Sequence, residues 1–407
     1  MPWEEKNRLE LREEFVKLAL NEGVNLRELS RRYGISAPTA YKWIKRYRCE
    51  GVKGLEDRSR RPHEHPNKTS KQVESHILDL RKQHDYWGAR KLHRILQNRS
   101  LEGLPSSTTV HNILKRNGCI ESPTPGANAP KRFERKRANE LWQMDFKGDF
   151  GLSNHQRCHA LTLCDDHSRY NLVLKACADK RTLTVKEHLI HAFERYGLPE
   201  CILCDNSGPW GCASSGGIAT NLELWLIRVG VSPIHGRPLH PQTQGKEERF
   251  HGSLERELLS RTTLWKDLKH CQRRFDQWRH QYNYIRPHES IDMCCPYERY
   301  EPSQRSMPSS LPEIQSYYLD SDIIRKVKNK GEIMFKNHTF YIGRGFIGAL
   351  IALRQTGQDQ YELFYCWKSL GYIDLALTSK AKHNYEKLLK SIDHRSCCAA
   401  TPMICNV

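Results

Sequence analysis

Residues 236–258 read GRPLHPQTQGKEERFHGSLEREL, and they constrain the fold more than any other stretch. A turn rich in Pro, His and Gly runs directly into a polar helix. Pro241 suits a first helical turn, and residues 244–258 carry few helix breakers. Phe250, Leu254 and Leu258 recur every four residues and predict one buried stripe. Glu248 falls outside that stripe, near Gln244 and Gly252, because successive residues rotate by about 100° around a helix. A carboxylate there, beside Lys246 and Arg249, suits a phosphate-bearing ligand approached through a metal ion. Glu247 instead projects between Phe250 and Leu254, toward the buried side. On this geometry Glu248, not Glu247, meets any acidic partners.

One carboxylate is not a site, and two candidates lie upstream. Residues 141–146, LWQMDF, read as the start of a strand containing Asp145. Residues 200–206, ECILCDN, read as a short buried strand ending in Asp205, followed by a Ser-Gly-Pro turn. Around them the pattern gives strands at 139–150, 157–166 and 170–176, a helix at 182–196, and the strand at 200–205. A helix at 218–229, a strand at 232–235 and two helices follow, through Glu248 and over 265–284. That order is a ribonuclease H-like α/β layout with a mixed sheet, in which Asp145 and Asp205 lie on neighbouring strands. Three converging carboxylates repel one another unless a divalent cation sits among them. Mg²⁺ prefers hard oxygen ligands and leaves positions open for phosphate oxygens. Asp165 and Asp166, a tempting second pair, read as a turn before His167-Ser168-Arg169.

The blocks WQMDF, LCDNSGPWG and GRPLHPQTQGKEERFHGSL resemble the three signature blocks of the retroviral-integrase-like, or DDE, transposases of bacterial insertion sequences. The resemblance spans residues 139–296. It implies that Asp145, Asp205 and Glu248 are catalytic and bind two Mg²⁺ (or Mn²⁺) ions. It implies metal-dependent strand cleavage and strand transfer at the ends of a mobile element, without a covalent protein–DNA intermediate. Asn206 and Gln244 would stand behind the ligands. His240 either touches a phosphate or the attacking water, or serves the turn before the helix. Two departures are visible: Ser207 precedes Gly208 after the Asp-Asn pair, where the family has Gly directly, and Glu247 occupies a position usually apolar or small.

The rest of the chain suits such an enzyme. Its 407 residues carry a formal charge of +18. Residues 1–140 alone hold 30 Lys+Arg against 18 Asp+Glu, so the excess is localised and points to nucleic acid. No apolar run reaches the roughly 18 residues of a membrane span, and residues 1–14 are charged, so we expect a cytoplasmic, nucleoid-associated protein and no membrane partner. The 15 cysteines are scattered, as reduced thiols would be. Cys201 and Cys204 have zinc-knuckle spacing but no matching second pair, so they read as structural thiols.

Residues 1–50 read as three helices in a helix-turn-helix domain. Leu11, Phe15, Leu18 and Ala19 form a stripe on the first, Asn25 caps the second, Gly34 turns, and Ser36 caps the third. The third helix would enter a major groove and present Thr39, Lys42 and Lys45, with Trp43 and Ile44 beneath it. A basic linker follows at 51–69. Residues 70–120 form a second helical domain, with Ser70 and Ser107 as caps; its YWGARKLHRIL run resembles the second DNA-binding module of such transposases, which puts Arg90 and Lys91 on DNA. A linker at 121–138 leads into a core at 139–300, and one at 301–320 leads out. Residues 321–377 alternate with period two and predict a small antiparallel β-barrel, followed by a tail at 378–407. The expected partners are transposon-end and target DNA and further copies of the chain. The rival reading is a catalytically inactive, transposase-derived DNA-binding regulator.

Overall fold

The computed structural model describes residues 7–58, 68–120, 134–204, 220–235 and 245–377. It separates into two units, Met1–Lys68 and Thr69–Val407. In the first, Asn7, Asn25 and Ser36 accept backbone N–H bonds at the starts of α1 (Arg8–Ala19), α2 (Leu26–Arg32) and α3 (Ala37–Glu50). Such caps satisfy donors that a helix leaves orphaned. Gly34 turns between α2 and α3 at φ 63°, a backbone that favours glycine. Phe15, Val16, Leu29, Ala40, Trp43, Ile44 and Leu55 close the core. Leu11 and Leu18 are not part of that stripe: they are 41% and 39% exposed. A short helix against two short helices buries only a narrow stripe, and Val16, beside Phe15, takes the inward place.

The second unit opens with α4 (Lys71–Gln83), α5 (Ala89–Asn98) and α6 (Ser107–Arg116). Val73, Ile77 and Leu80 of α4 meet Trp87, Leu92, Leu96, Val110, Ile113 and Leu114. The α6 cap is Ser106 rather than Ser107, its hydroxyl accepting the Thr109 N–H.

Next, β1 (Leu141–Gly151), β2 (Arg157–Asp165) and β3 (Asn171–Cys177) form an antiparallel meander. β4 (Cys201–Cys204) and β5 (Ser232–His235) add parallel strands, giving the order β3-β2-β1-β4-β5. α7 (Thr182–Tyr196) and α8 (Asn221–Arg228) cover one face, over Trp142, Met144 and Leu163. α9 (Gly245–Glu257) and α10 (Leu268–His280) cover the other, over Cys158, Ala160 and Leu174. Side chains alternate along a strand, so with Trp142 and Met144 facing α7 and α8, Asp145 belongs to the α9 face. α10 runs into a π-turn at Gln281–Ile285, where Asn283 exchanges hydrogen bonds of 2.9 and 3.0 Å with the Asn171 backbone. That clamp fixes the edge strand β3.

The C-terminal strands are β6 (Ile323–Lys326), β7 (Glu332–Phe335), β8 (His338–Tyr341), β9 (Leu350–Gln355), β10 (Gln360–Tyr365) and β11 (Lys368–Asp374). They do not close into the expected barrel. They form an open sheet, β11-β10-β9-β6, and a separate hairpin, β7-β8. Four short strands cannot wrap a filled interior; the hairpin and α8 cover the apolar face instead, Ile333, Phe335, Phe340, Leu224 and Ile227 sharing one core with Ile351, Leu353 and Leu363. Trp367 Nε1 donates to the Ile227 carbonyl at 2.7 Å, seating the sheet on α8. β11 itself escapes period-two reading because Gly371, at φ 141°, interrupts it opposite a register shift between Leu363 and Phe364.

Candidate active site

Asp145 sits on β1 directly across from Thr162 of β2. The Thr162 hydroxyl lies 3.0 Å from the Asp145 carbonyl oxygen, 3.1 Å from Glu247 Oε2 and 2.9 Å from His251 Nε2. A hydroxyl donates one hydrogen bond and accepts two. The one hydroxyl hydrogen of Thr162 is shared between the Asp145 carbonyl and the Glu247 carboxylate, and the roles in the His251 contact depend on the ring's tautomer. Glu247 is thus tied to β2 by Thr162 in a site shut off from solvent. Burial, then the charge of Asp145, pushes the Glu247 carboxyl up to about 8, partly offset by Thr162 and Cys164. Burial, helped by Lys147, pushes His251 down to about 4. His251 Nδ1 lies 3.8 Å from Asp145 Oδ2.

Glu247 is buried as its helical position predicts, at 1% exposure. It does not point away from Asp145, however. The buried side of α9 is the side on which Asp145 stands, because β1 lies under that helix. Glu248, one residue on, is exposed at the start of α9. Thr162 and His251 escape sequence reading altogether. The available signal was the i, i+4 spacing of Glu247 and His251, which stacks two titratable groups on one helix face.

The other candidates divide sharply. Asp205, Asn206, His240 and Gln244 lie outside the described residues. β4 pairs Leu203 with Gln143 of β1; in sequence, Asp205 and Asp145 each stand two positions further on. Among the described residues no three His, Cys, Asp or Glu groups are placed to hold a metal. Lys246 reaches back to Asp166 Oδ1 at 2.5 Å, and burial lowers its ammonium to about 8. Asp166 also accepts from Gln143 Nε2 at 2.7 Å and the Arg135 N–H at 2.8 Å. Asp165 accepts the Asn139 and Ser168 N–H groups, each at 2.8 Å. The pair thus builds the turn after β2. Arg249 is exposed. Lys91, half-buried, is drawn down to about 8 by burial and by Arg286, whereas Arg90 is exposed and lies 3.7 Å from Glu289. Cys201 and Cys204 are buried within β4.

Comparison with known proteins places this geometry. Integrase core domain models match residues 135–241 and 229–296. A helix-turn-helix domain model matches residues 11–63, a homeodomain-like one 39–114, and the C-terminal domain of IS481 family transposases 322–381. The chain thus carries an integrase core domain and a C-terminal domain like that of IS481 family transposases, and it resembles proteins of bacterial insertion elements. It is 24% identical over 232 residues to an uncharacterised insertion element IS476 protein of Xanthomonas euvesicatoria, covering 55% of this chain and 63% of that one. It is 23% identical to an insertion element IS407 protein of Burkholderia multivorans, covering 57% and 82%. Among solved structures, the HTLV-2 integrase catalytic core domain in complex with magnesium aligns at 13% identity with a TM-score of 0.32, over 41% of this chain and 99% of that one.

In the first unit, which the helix-turn-helix model matches, α3 is the candidate groove reader. Lys42 and Lys45 are exposed, and Thr39 is half-buried with its hydroxyl 2.9 Å from that of Ser36. Arg58 is instead ion-paired with Glu50. Lys42→Ala and Thr39→Ala are expected to reduce discrimination between end DNA and scrambled DNA roughly tenfold, as loss of a base contact does. Arg58→Ala is expected to weaken both duplexes alike. Competition binding distinguishes them; equal loss of discrimination from all three variants removes α3 from the groove.

Proposed function

We propose that the protein cleaves DNA strands at the ends of a mobile element and transfers the freed ends to target DNA. The observation that carries this reading is Asp145 on the central strand of an integrase core, with the acidic start of α9 packed against it. Asp145, Asp205 and Glu248 would hold the metal ions. Their donors are carboxylate oxygens, which suit Mg²⁺ or Mn²⁺. Asp145 is part-exposed and Glu248 exposed, so both are open to DNA and ions. Bound ions supply charge neutralisation at the scissile phosphate and lower the pKa of the attacking water or 3′-hydroxyl.

The chain's own residues supply position. The Thr162 hydroxyl ties the β1 backbone at Asp145 to Glu247 and His251 of α9, and burial pushes the Glu247 carboxyl up to about 8, so that it adds little charge beside Asp145. The helical modules would bring the ends, with a steep salt dependence set by the phosphates they neutralise. A catalytically inactive DNA-binding regulator is the second reading, favoured by Ser207 in the turn after Asp205.

The test incubates the full chain with duplexes carrying the inverted repeats that flank its gene. Mg²⁺-dependent nicking at the repeat boundary is expected, within a complex that holds two ends and several copies of the chain. Binding without nicking in Mg²⁺ or Mn²⁺ supports the regulator, and full activity of a monomer on one end overturns the multimer.

A further inference from the structure

The segment joining α4 to α5, residues 84–91, lies against the catalytic core. Asp85 ion-pairs with Arg261, and the same guanidinium lies 4.1 Å above the Tyr86 ring. His84 stacks on Trp87 at 3.8 Å and meets Gln281 Nε2 at 3.4 Å through Nδ1. Arg90 lies 3.7 Å from Glu289. Lys91 is half-buried, and the charges of Glu257, Glu289, Arg286 and Arg256 act on it. Opposite charges thus face one another at both ends of the segment. Isolated exposed ion pairs contribute little, but here they flank a half-buried lysine and a cation–aromatic contact.

Two consequences follow from where these partners sit. Glu257 closes α9, the helix whose first turn carries Glu248, nine residues or roughly 13 Å away at 1.5 Å per residue. Glu257 is itself fixed by Arg286 Nε at 3.0 Å and Trp278 Nε1 at 3.3 Å. Meanwhile α6 keeps Thr108, His111, Asn112 and Lys115 exposed. Lys91 at the start of α5 is half-buried toward the core, and a polar face of α6 is left outward.

We propose that residues 84–91 are a docking segment that holds the second helical module on the core and so sets the distance between the bases this module reads and the phosphate that is cut. The inference rests on the transposase reading for its cleavage readout, but not for the docking itself. The test uses the full chain with Asp85→Arg, Arg261→Asp and the double exchange. Each single change is expected to lower amide-exchange protection across 84–92 about tenfold and to scatter nicks over several phosphates, with end affinity close to wild type. The double exchange is expected to restore protection and a single cut. Wild-type protection in both single variants overturns the docking; lost protection with an unmoved cut overturns the ruler. If the wild-type chain nicks no end, the transposase reading fails and takes the ruler with it, and the exchange measurement alone still decides the docking.

Discussion

Glu248→Gln is expected to abolish Mg²⁺-dependent nicking of end DNA while leaving end binding intact. The change keeps size and hydrogen bonding and removes one negative charge at an exposed position at the start of α9. Electrostatic groups aimed at a reacting phosphate act only in cleavage, so their loss falls on rate, by roughly a hundredfold or more. Binding is carried by the helical modules and is unaffected. Glu247→Gln is the matched control. Its side chain is 1% exposed and burial pushes its carboxyl up to about 8, so the amide should cut at close to the wild-type rate at neutral pH. Nicking by both purified variants decides the matter. A dead Glu247→Gln beside an active Glu248→Gln shifts the catalytic glutamate by one residue.

Glu247→Val is expected to make the core more stable at alkaline pH and to flatten its pH dependence. The folded Glu247 carboxyl keeps its proton up to about pH 8, against an ordinary value of 4.5. The unfolded state therefore binds fewer protons between those values, and stability falls as pH rises through the window. His251, lowered from 6.5 to about 4, acts oppositely: stability rises between those values. The two slopes offset each other between pH 4.5 and 6.5. Above pH 6.5 only the Glu247 slope remains, and it costs about 2 kcal/mol by pH 8. Valine removes this loss and suits a site lined by the β-sheet and the α9 stripe. Thermal unfolding of the two full chains at pH 6.5 and pH 8 is the measurement. A drop of equal size in wild type and variant would falsify the assignment of the buried proton to Glu247.

Much of this molecule was legible in one dimension. Side-chain period is local, so the strand–helix order of the core, the Asn25, Ser36 and Ser70 caps and the α9 stripe of Phe250, Leu254 and Leu258 could all be read from spacing. The resemblance marked Asp145, Asp205 and Glu248, and those roles remain for the nicking experiments to decide. What spacing cannot encode is which surface another element will cover. The sequence rightly put Glu247 on the buried side of α9, but only the sheet order shows that this side contains Asp145, Thr162 and His251. A charge run such as Arg90 and Lys91, or Lys246, reads alike in sequence whether it meets phosphate or protein. Their carboxylate neighbours Glu289, Glu257 and Asp166 come from distant parts of the chain. The C-terminal strands likewise announced themselves by alternation, while closure depends on pairing between β6 and β11, which is a non-local property. Local periodicity determined the elements; the burial of charges and the open edge of the last sheet were decided only when those elements packed.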